Sequence, residues 1–444
     1  MRGMFTVAAF LPAETTLFDR GISLLGIPIL IGLAWLMSKN RRAVNWKPVA
    51  WGVTLQLIFG VVVLSPMLQE VFKTVVDQGV NTLIGFADEG AKFVFASFVP
   101  HSIIGPSGEP VPMDGLSFPL VNMAFAVLPT IVFFSSLMSV LYHIGVMQKL
   151  VYAVAWVMQR TMGTSGAESL SAAANIFVGQ TEAPLVIGPF VKDMTKSELH
   201  AVMTGGFATV AGGVMAVYVG FLGNIPGIAG HLVAASIMSA PAALAISKVL
   251  YPEDGTPTTS GALEMEVEKS ARNVLEAAAQ GAAEGTRLAI NVAGMLIAFV
   301  GLVAMVDYGL GLVPIPGDAP LSMAMILGWL FAPIAFIMGV PWSECGVVGT
   351  LLGQKIVLTE LYAYINLGQM VGAEVPVISE RSSIIASYAL CGFANFASIG
   401  IQLGGIGGIA PKRMGDLADL ALRAMIGGSL AAFMTGTIAG VLIG

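Results

Sequence analysis

Charge is what this chain has least of. Asp, Glu, Lys and Arg make up 11% of its 444 residues, against about 25% in a soluble domain. A water-facing surface for so long a chain cannot be built from that supply. The 21 Lys and Arg against 27 Asp and Glu leave a net charge of −6, so there is no basic face for nucleic acid. Cysteine is nearly missing. Cys345 and Cys391 lie in apolar or glycine-rich surroundings, which excludes a disulfide framework or a cysteine zinc site. The four histidines, His101, His143, His200 and His231, share no ligand spacing and read as loop or interface side chains. No HExxH or GxSxG occurs. The run from Gly349 to Ile356 lacks both the spacing and the hydroxyl residue of a phosphate-binding loop, and Gly405-x-Gly407-Gly408 has no strand before it. An enzyme is the weaker expectation.

What is present is apolar: 56% hydrophobic residues and a mean hydropathy of +0.84. A spanning helix needs about 20 such residues. Segments of that kind fall near 21–38, 48–66, 118–142, 201–223, 227–250, 286–308, 384–403 and 420–443. Lys39, Arg41, Arg42 and Lys47 place the first loop in the cytoplasm and the N-terminus outside. Lys149, Arg160, Lys192, Lys196, Lys412 and Arg413 fall on that same side when eight spans alternate. A bacterial inner membrane with a periplasmic N-terminus fits. Residues 1–20 resemble a signal peptide weakly and are read as an undocked tail. Residues 67–100 are read as an external segment, since the run Gly85-Phe86-Ala87-Asp88-Glu89-Gly90 is too polar to span.

Residues 144–195 and 320–372 each hold one apolar helix and then a polar, glycine-containing stretch. Such backbone survives at membrane depth only inside protein or beside a water-filled cavity. Each region is therefore read as an interfacial helix and a re-entrant hairpin, the two entering from opposite sides. The organisation expected is a scaffold part at 1–117, a first repeat at 118–250, a soluble linker at 251–285 and a second, inverted repeat at 286–444. The acid-rich linker should end in an amphipathic cytoplasmic helix. The fold class is an all-α polytopic membrane protein with eight transmembrane helices and two re-entrant hairpins.

The duplication shows in the polar interruptions. Gly206-Phe207-Ala208-Thr209-Val210-Ala211-Gly212 foreshadows Gly392-Phe393-Ala394-Asn395-Phe396-Ala397-Ser398, and a Gly-Gln pair and a glutamate precede each. Two related halves around one site is the pattern of a secondary transporter. Glu182 and Glu360 are the costly residues, at about 2.5–3.5 kcal/mol each near the midplane. Glu182 stands at the first hairpin turn, before Pro184, so Gln180, Thr181 and Glu182 are presented together with free backbone groups. The Gln180 amide suits the edge of a base, and the Glu360 carboxylate suits paired sugar hydroxyls, unless it merely pairs with Lys355. The two GFA segments are where long helices should unwind, or where glycine lets helices pack closely. Asn395 and Ser398 share a helical face, and Asn175 and Val178 have the same spacing. A side-chain oxygen with freed carbonyls would cage an alkali cation.

At these residues the chain resembles the concentrative nucleoside transporter family, over roughly residues 80–440. The resemblance is carried by Gly179-Gln180-Thr181-Glu182-Ala183-Pro184-Leu185, by Thr359-Glu360-Leu361-Tyr362-Ala363-Tyr364, and by Ser379-Glu380-Arg381-Ser382 through Cys391 to Ile399. It implies a homotrimer of eight-span protomers and sodium-driven uptake of nucleosides of the uridine, cytidine and adenosine class. Gln180 and Thr181 would bond the base, with Glu182 nearby through water and Val214 packed on it. Glu360, Asn395 and Ser398 would hold the ribose, with Phe393 lining the pocket. Sodium would sit between Asn175, the Val178 carbonyl, Thr209 and the Val210 carbonyl, with no organic cofactor. Thr209 and Ala397 stand where members often have Ser. Proton-coupled members tend to depart from the Glu-Ala-Pro turn, so its presence implies sodium rather than protons. A passive channel or an intramembrane enzyme is the distant alternative.

Overall fold

The computed structural model describes residues 17–64, 66–95, 102–104, 110–112, 128–261, 271–314, 320–373 and 375–443. The proposed N-terminal tail up to residue 16 and the start of the third expected span, 118–127, lie outside them.

Helices dominate because the apolar segments carry hydrogen-bond-saturating backbone through low-dielectric surroundings. In order they are α1 (Leu17–Leu36), α2 (Trp46–Leu64), α3 (Pro66–Phe95), α4 (Leu128–His143), α5 (Val146–Met162), α6 (Gly166–Ala174), α7 (Gly188–Val191), α8 (Lys196–Ala208), α9 (Gly212–Phe221), α10 (Ile228–Leu250), α11 (Val274–Gly311), α12 (Met323–Ile337), α13 (Trp342–Val357), α14 (Glu360–Val371), α15 (Glu380–Leu390), α16 (Phe396–Ile409) and α17 (Met414–Leu442). The all-α reading needs one amendment. Ser102–Ile104 and Pro110–Pro112 form a short antiparallel pair with Ser102 opposite Pro112.

Five segments among the described residues are long and apolar enough to cross a membrane: α1, α2, α8 with α9, α10 and α17. Two further pairs are sharply bent, α4 against α5 by 78° and α12 against α13 by 116°. Most of the segment expected to be external, Pro66–Phe95, is one 30-residue helix, α3, and residues 96–100 lie outside the described residues. The polar run at 85–90 interrupts its hydropathy but contains no proline, so nothing breaks its backbone. The amphipathic helix expected to close the linker begins at Val274, capped by Asn273, and runs without a break to Gly311 as α11. No backbone boundary falls at residue 285.

The order of elements recurs. A helix (α4, α11), a second helix (α5, α12), a helix–turn–helix hairpin, a helix broken in two (α8 and α9, α15 and α16) and a closing helix (α10, α17) appear twice. α4 packs along α11, and α17 packs against α1, α8, α10 and α15. Both broken helices give way at the GFA segments. α8 ends at Ala208, with Thr209 extended, and α15 ends at Leu390, six residues before Phe396 restarts the helix.

Ionic bonds clamp the end of the first hairpin. Capping boxes open α6 (Ser165 and Glu168) and α8 (Thr195 and Glu198). The two boxes interlock, because the Ser165 hydroxyl donates to Glu198 at 2.6 Å and buried Lys248 of α10 pairs with Glu168 at 2.8 Å. With every charge partnered, the burial is tolerable.

Candidate functional site

Four helix starts bring the polar residues together. The first hairpin tip spans 175–182, and a 3₁₀ turn then starts at Ala183 with Pro184 in its first turn. In the second hairpin Thr359 caps α14, accepting from the Tyr362 amide, so Glu360 is the first helical residue. Asn395 caps α16 by accepting from the Ser398 amide at 2.8 Å. α9 restarts at Gly212, whose amide donates to the Phe177 carbonyl at 3.1 Å and ties that helix to the first tip. Unpaired amides and the positive end of the helix dipole meet at each start. A carboxylate belongs in such a place.

A continuous hydrogen-bonded chain joins these starts. Tyr218 of α9 donates to Glu360 Oε1 at 2.8 Å, and Asn395 Nδ2 donates to Glu360 Oε2 at 2.8 Å. Gln180 Nε2 donates to the Ser398 hydroxyl at 3.1 Å. Gln402 of α16 then donates to Gln180 Oε1 at 3.0 Å and to the Met203 carbonyl at 3.1 Å. Every side chain in the chain is buried. Tyr218 also stacks on Tyr364, with ring centroids 4.3 Å apart.

Lys355 does not pair with Glu360. It is wholly buried, and its ammonium donates to the carbonyls of Ala389 at 2.9 Å and Cys391 at 3.3 Å. Those carbonyls belong to the broken end of α15, where the helix dipole is negative. The glycine of the same break is there for two reasons. Gly392 has φ +116°, and a Cβ on it would lie 2.6 Å from the Ala208 carbonyl oxygen. The two breaks therefore cross backbone to backbone.

Among the described residues, no lysine or arginine is tethered in this way at the first break. Asn175, fully buried at the end of α6, donates from Nδ2 to the Ser171 carbonyl at 3.0 Å, while its Oδ1 has no hydrogen-bond partner. Thr209 donates to the Gly205 carbonyl at 2.9 Å, leaving its oxygen lone pairs free. Gly205 also admits Asn175 closely, since a Cβ there would stand 3.4 Å from Asn175 Nδ2. Asn175 and Thr209 thus flank one residue, with Val178 on the same tip and buried Val210 next along the chain. A buried carbonyl-type oxygen with nothing to accept from fits a hard cation.

The remaining candidates lie around this frame without hydrogen bonds to it. Val214 is buried one helical turn before Tyr218 on α9. Phe393 is half-buried at the second break. Thr181 presses on α16 where Gly405 leaves room, and the exposed Glu182 carboxylate curls back over Gly179. Gln354 is turned away, accepting from Asn366 within its own hairpin at 2.9 Å. Sequence reasoning missed Tyr218 and Gln402. Gln402 had a signal, as the polar residue four positions after Ser398 on an otherwise apolar helix.

Comparison with known proteins agrees with this architecture along the whole chain. Residues 25–98 and 231–440 match the models "Na+ dependent nucleoside transporter" N-terminus and C-terminus, and residues 124–225 match "Nucleoside recognition". The rat protein "Solute carrier family 28 member 3" is 42% identical over 95% of this chain and 58% of its own length. Human "Sodium/nucleoside cotransporter 1" is 39% identical over 95% of this chain and 63% of its own. The chain thus spans about three fifths of the length of these relatives, whereas it covers 97% of an "Uncharacterized transporter" of Haemophilus influenzae at 41% identity. Among solved structures, CNTnw in an inward-facing substrate-bound state superposes with a TM-score of 0.84 at 42% identity, covering 95% of this chain and 99% of that one. A CNTnw variant in an outward-facing state gives 0.87 at 42% identity, covering 96% and 98%. These relatives are transporters rather than enzymes. The chain belongs to the concentrative, Na+-dependent nucleoside transporter family.

Proposed function

We propose that this chain is a sodium-coupled nucleoside symporter of a bacterial inner membrane, working by alternating access. The observation that carries the reading is the buried chain from Tyr218 through Glu360, Asn395, Ser398 and Gln180 to Gln402. It crosses both hairpins and both broken helices in an apolar interior, where polar groups are expensive unless they serve a ligand. In this reading Glu360, Asn395 and Ser398 hold the ribose hydroxyls. Gln180 and Thr181 meet the base, Glu182 stands nearby through water, Val214 packs on the base, and Phe393 lines the pocket.

Sodium is held by Asn175 Oδ1, Thr209 and the carbonyls of Val178 and Val210. The free Asn175 oxygen supports that assignment. Because the Phe177 carbonyl ties the first tip to the start of α9, filling the cation cage also orders the tip that carries Gln180. Coupling then needs no contact between ion and nucleoside. One cation falling through 100 mV releases about 2.3 kcal/mol, and a tenfold gradient adds about 1.4 kcal/mol. Together they concentrate a neutral nucleoside a few hundred-fold.

The hairpins are re-entrant in this reading, the two repeats are inverted, and eight spans form each protomer of a homotrimer. The hairpin-bearing part moves against spans one, two, three and six. Uridine uptake into proteoliposomes under separate sodium and pH gradients tests the proposal. Accumulation should follow sodium. Uptake that ignores sodium and follows pH would assign the same fold to proton coupling, and uptake that only equilibrates would make it a channel.

A further inference from the structure

Gln402 touches none of the atoms assigned to substrate, yet it determines how one of them is presented. A backbone carbonyl only accepts, so the Gln402 atom 3.1 Å from the Met203 oxygen is its NH₂ group. That nitrogen also lies 3.0 Å from the Gln180 side chain, which must therefore turn its carbonyl toward it. The orientation of the Gln180 amide follows. Its acceptor is engaged by Gln402, and its NH₂ faces Ser398 at 3.1 Å. One of those two N–H bonds goes to Ser398, which leaves the second available to a ligand.

Turning the Gln180 amide over would set its NH₂ against that of Gln402. Gln402 cannot follow, because its own carbonyl would then face the Met203 carbonyl. The packing around the pair is equally specific. A Cβ on Gly206 would lie 2.7 Å from Gln402 Nε2 and 3.0 Å from the Gln180 Cβ, so glycine at the first GFA segment admits both glutamines. Gln402 itself is fully buried, which keeps water from competing for either bond.

We propose that Gln402 is a specificity-determining positioning residue. By fixing the Gln180 amide with its donor toward the base, it makes the chain favour nucleosides whose base edge carries a keto oxygen over those with an amino group in its place. The inference rests on the functional reading above, in which Gln180 meets the base.

Binding of uridine, cytidine, inosine and adenosine to the purified full chain in saturating sodium tests it, with Gln402→Leu and Gln402→Glu alongside. The wild-type chain should bind uridine over cytidine and inosine over adenosine by about five- to tenfold, the effect of one mismatched hydrogen bond. Gln402→Leu frees the amide to rotate and should bring both ratios below about twofold. Gln402→Glu, in its protonated form, can donate its O–H to the Met203 carbonyl and accept from Gln180, so the Gln180 amide turns over and both preferences should reverse. Wild-type ratios near one would overturn the proposal. So would folded variants whose four affinities all fall by a common factor, which is what a merely structural role gives. If the variants do not fold, as judged by thermal unfolding, the wild-type ratios alone decide. A wild-type chain that binds none of the four would overturn the functional reading, and the inference with it.

Discussion

Replacing Glu360 by Gln changes the charge of the carboxylate with almost no change in shape. Both present bonds can survive. The Gln carbonyl continues to accept from Asn395, whose amide cannot turn because its own oxygen caps α16 through the Ser398 amide. The new NH₂ then faces Tyr218, whose hydroxyl rotates from donor to acceptor. The protein should therefore stay folded, with a stability change within about 1 kcal/mol. Capacity toward a ligand is what changes. Each carboxylate oxygen of Glu360 has one further lone pair after its present bond, giving two charged acceptors for ribose hydroxyls. Glu360→Gln keeps one neutral acceptor and replaces the other by a donor.

Losing one charge-assisted hydrogen bond costs about 1.5–3 kcal/mol, so Kd for uridine should rise about 10- to 150-fold. Calorimetric titration in saturating sodium measures it, with thermal unfolding as the control. A thermodynamic cycle makes the test specific to the sugar. On 2′-deoxyuridine or 3′-deoxyuridine, whichever lacks the contacted hydroxyl, the substitution should cost far less than on uridine. Equal losses on all three nucleosides, or a uridine Kd unchanged within twofold, would refute the ribose assignment.

Three other substitutions address the frame. Gly392→Ala places a Cβ 2.6 Å from the Ala208 oxygen at φ +116°, so it should destabilise by about 3 kcal/mol or more, seen as loss of folded protein or a steep drop in melting temperature. Asn175→Leu removes the buried oxygen that lacks a partner. Sodium should then cease to enhance uridine binding, while melting without sodium stays close to wild type, and a preserved sodium titration would exclude Asn175 as a ligand. Lys355→Met keeps length but strips the Ala389 and Cys391 carbonyls of their donor. It should destabilise by about 2–4 kcal/mol, with Lys355→Arg nearer to wild type in unfolding experiments.

Much of this was legible in the chain because polar residues are rare enough to be conspicuous. With 11% charged residues, Glu182, Glu360 and the Gly-Gln pairs stand out of the apolar background, and glycine at Gly206 and Gly392 marked the breaks. What stayed hidden is partnership across distance. Tyr218 meets Glu360 from 142 positions away, and Gln402 meets Gln180 across 222. No local spacing encodes such pairs. The alternative that Lys355 neutralises Glu360, five residues on, failed for a related reason. Lys355 lies within helix α13 whereas Glu360 starts α14, and the intervening turn sends the ammonium to the end of α15 instead. Hydropathy also missed the continuity of α11, because an amphipathic end and an apolar stretch share one uninterrupted backbone ladder.

The order of helices recurs while the chemistry at the two breaks differs, and the proposed coupling rests on that difference. Each broken helix ends in carbonyls that need positive charge. At the second break the donor is tethered, since Lys355 is covalently part of the chain and cannot leave. At the first break the neighbouring oxygen of Asn175 is left without a partner. A group that must be satisfied by something arriving from outside makes the stability of that half depend on ion concentration. The first tip also carries Gln180, while the second carries Glu360, and Lys355 before it holds the broken end of α15. On the proposed reading only one hairpin tip depends on the ion, and it is the tip assigned to the base. A chain with two tethered cations would bind nucleoside without regard to sodium. One with none would need two ions to order both tips, so a single sodium per nucleoside is the stoichiometry this asymmetry predicts. Paired ²²Na and uridine fluxes in proteoliposomes measure it, and a ratio of two would refute the assignment of Lys355 as the second cation.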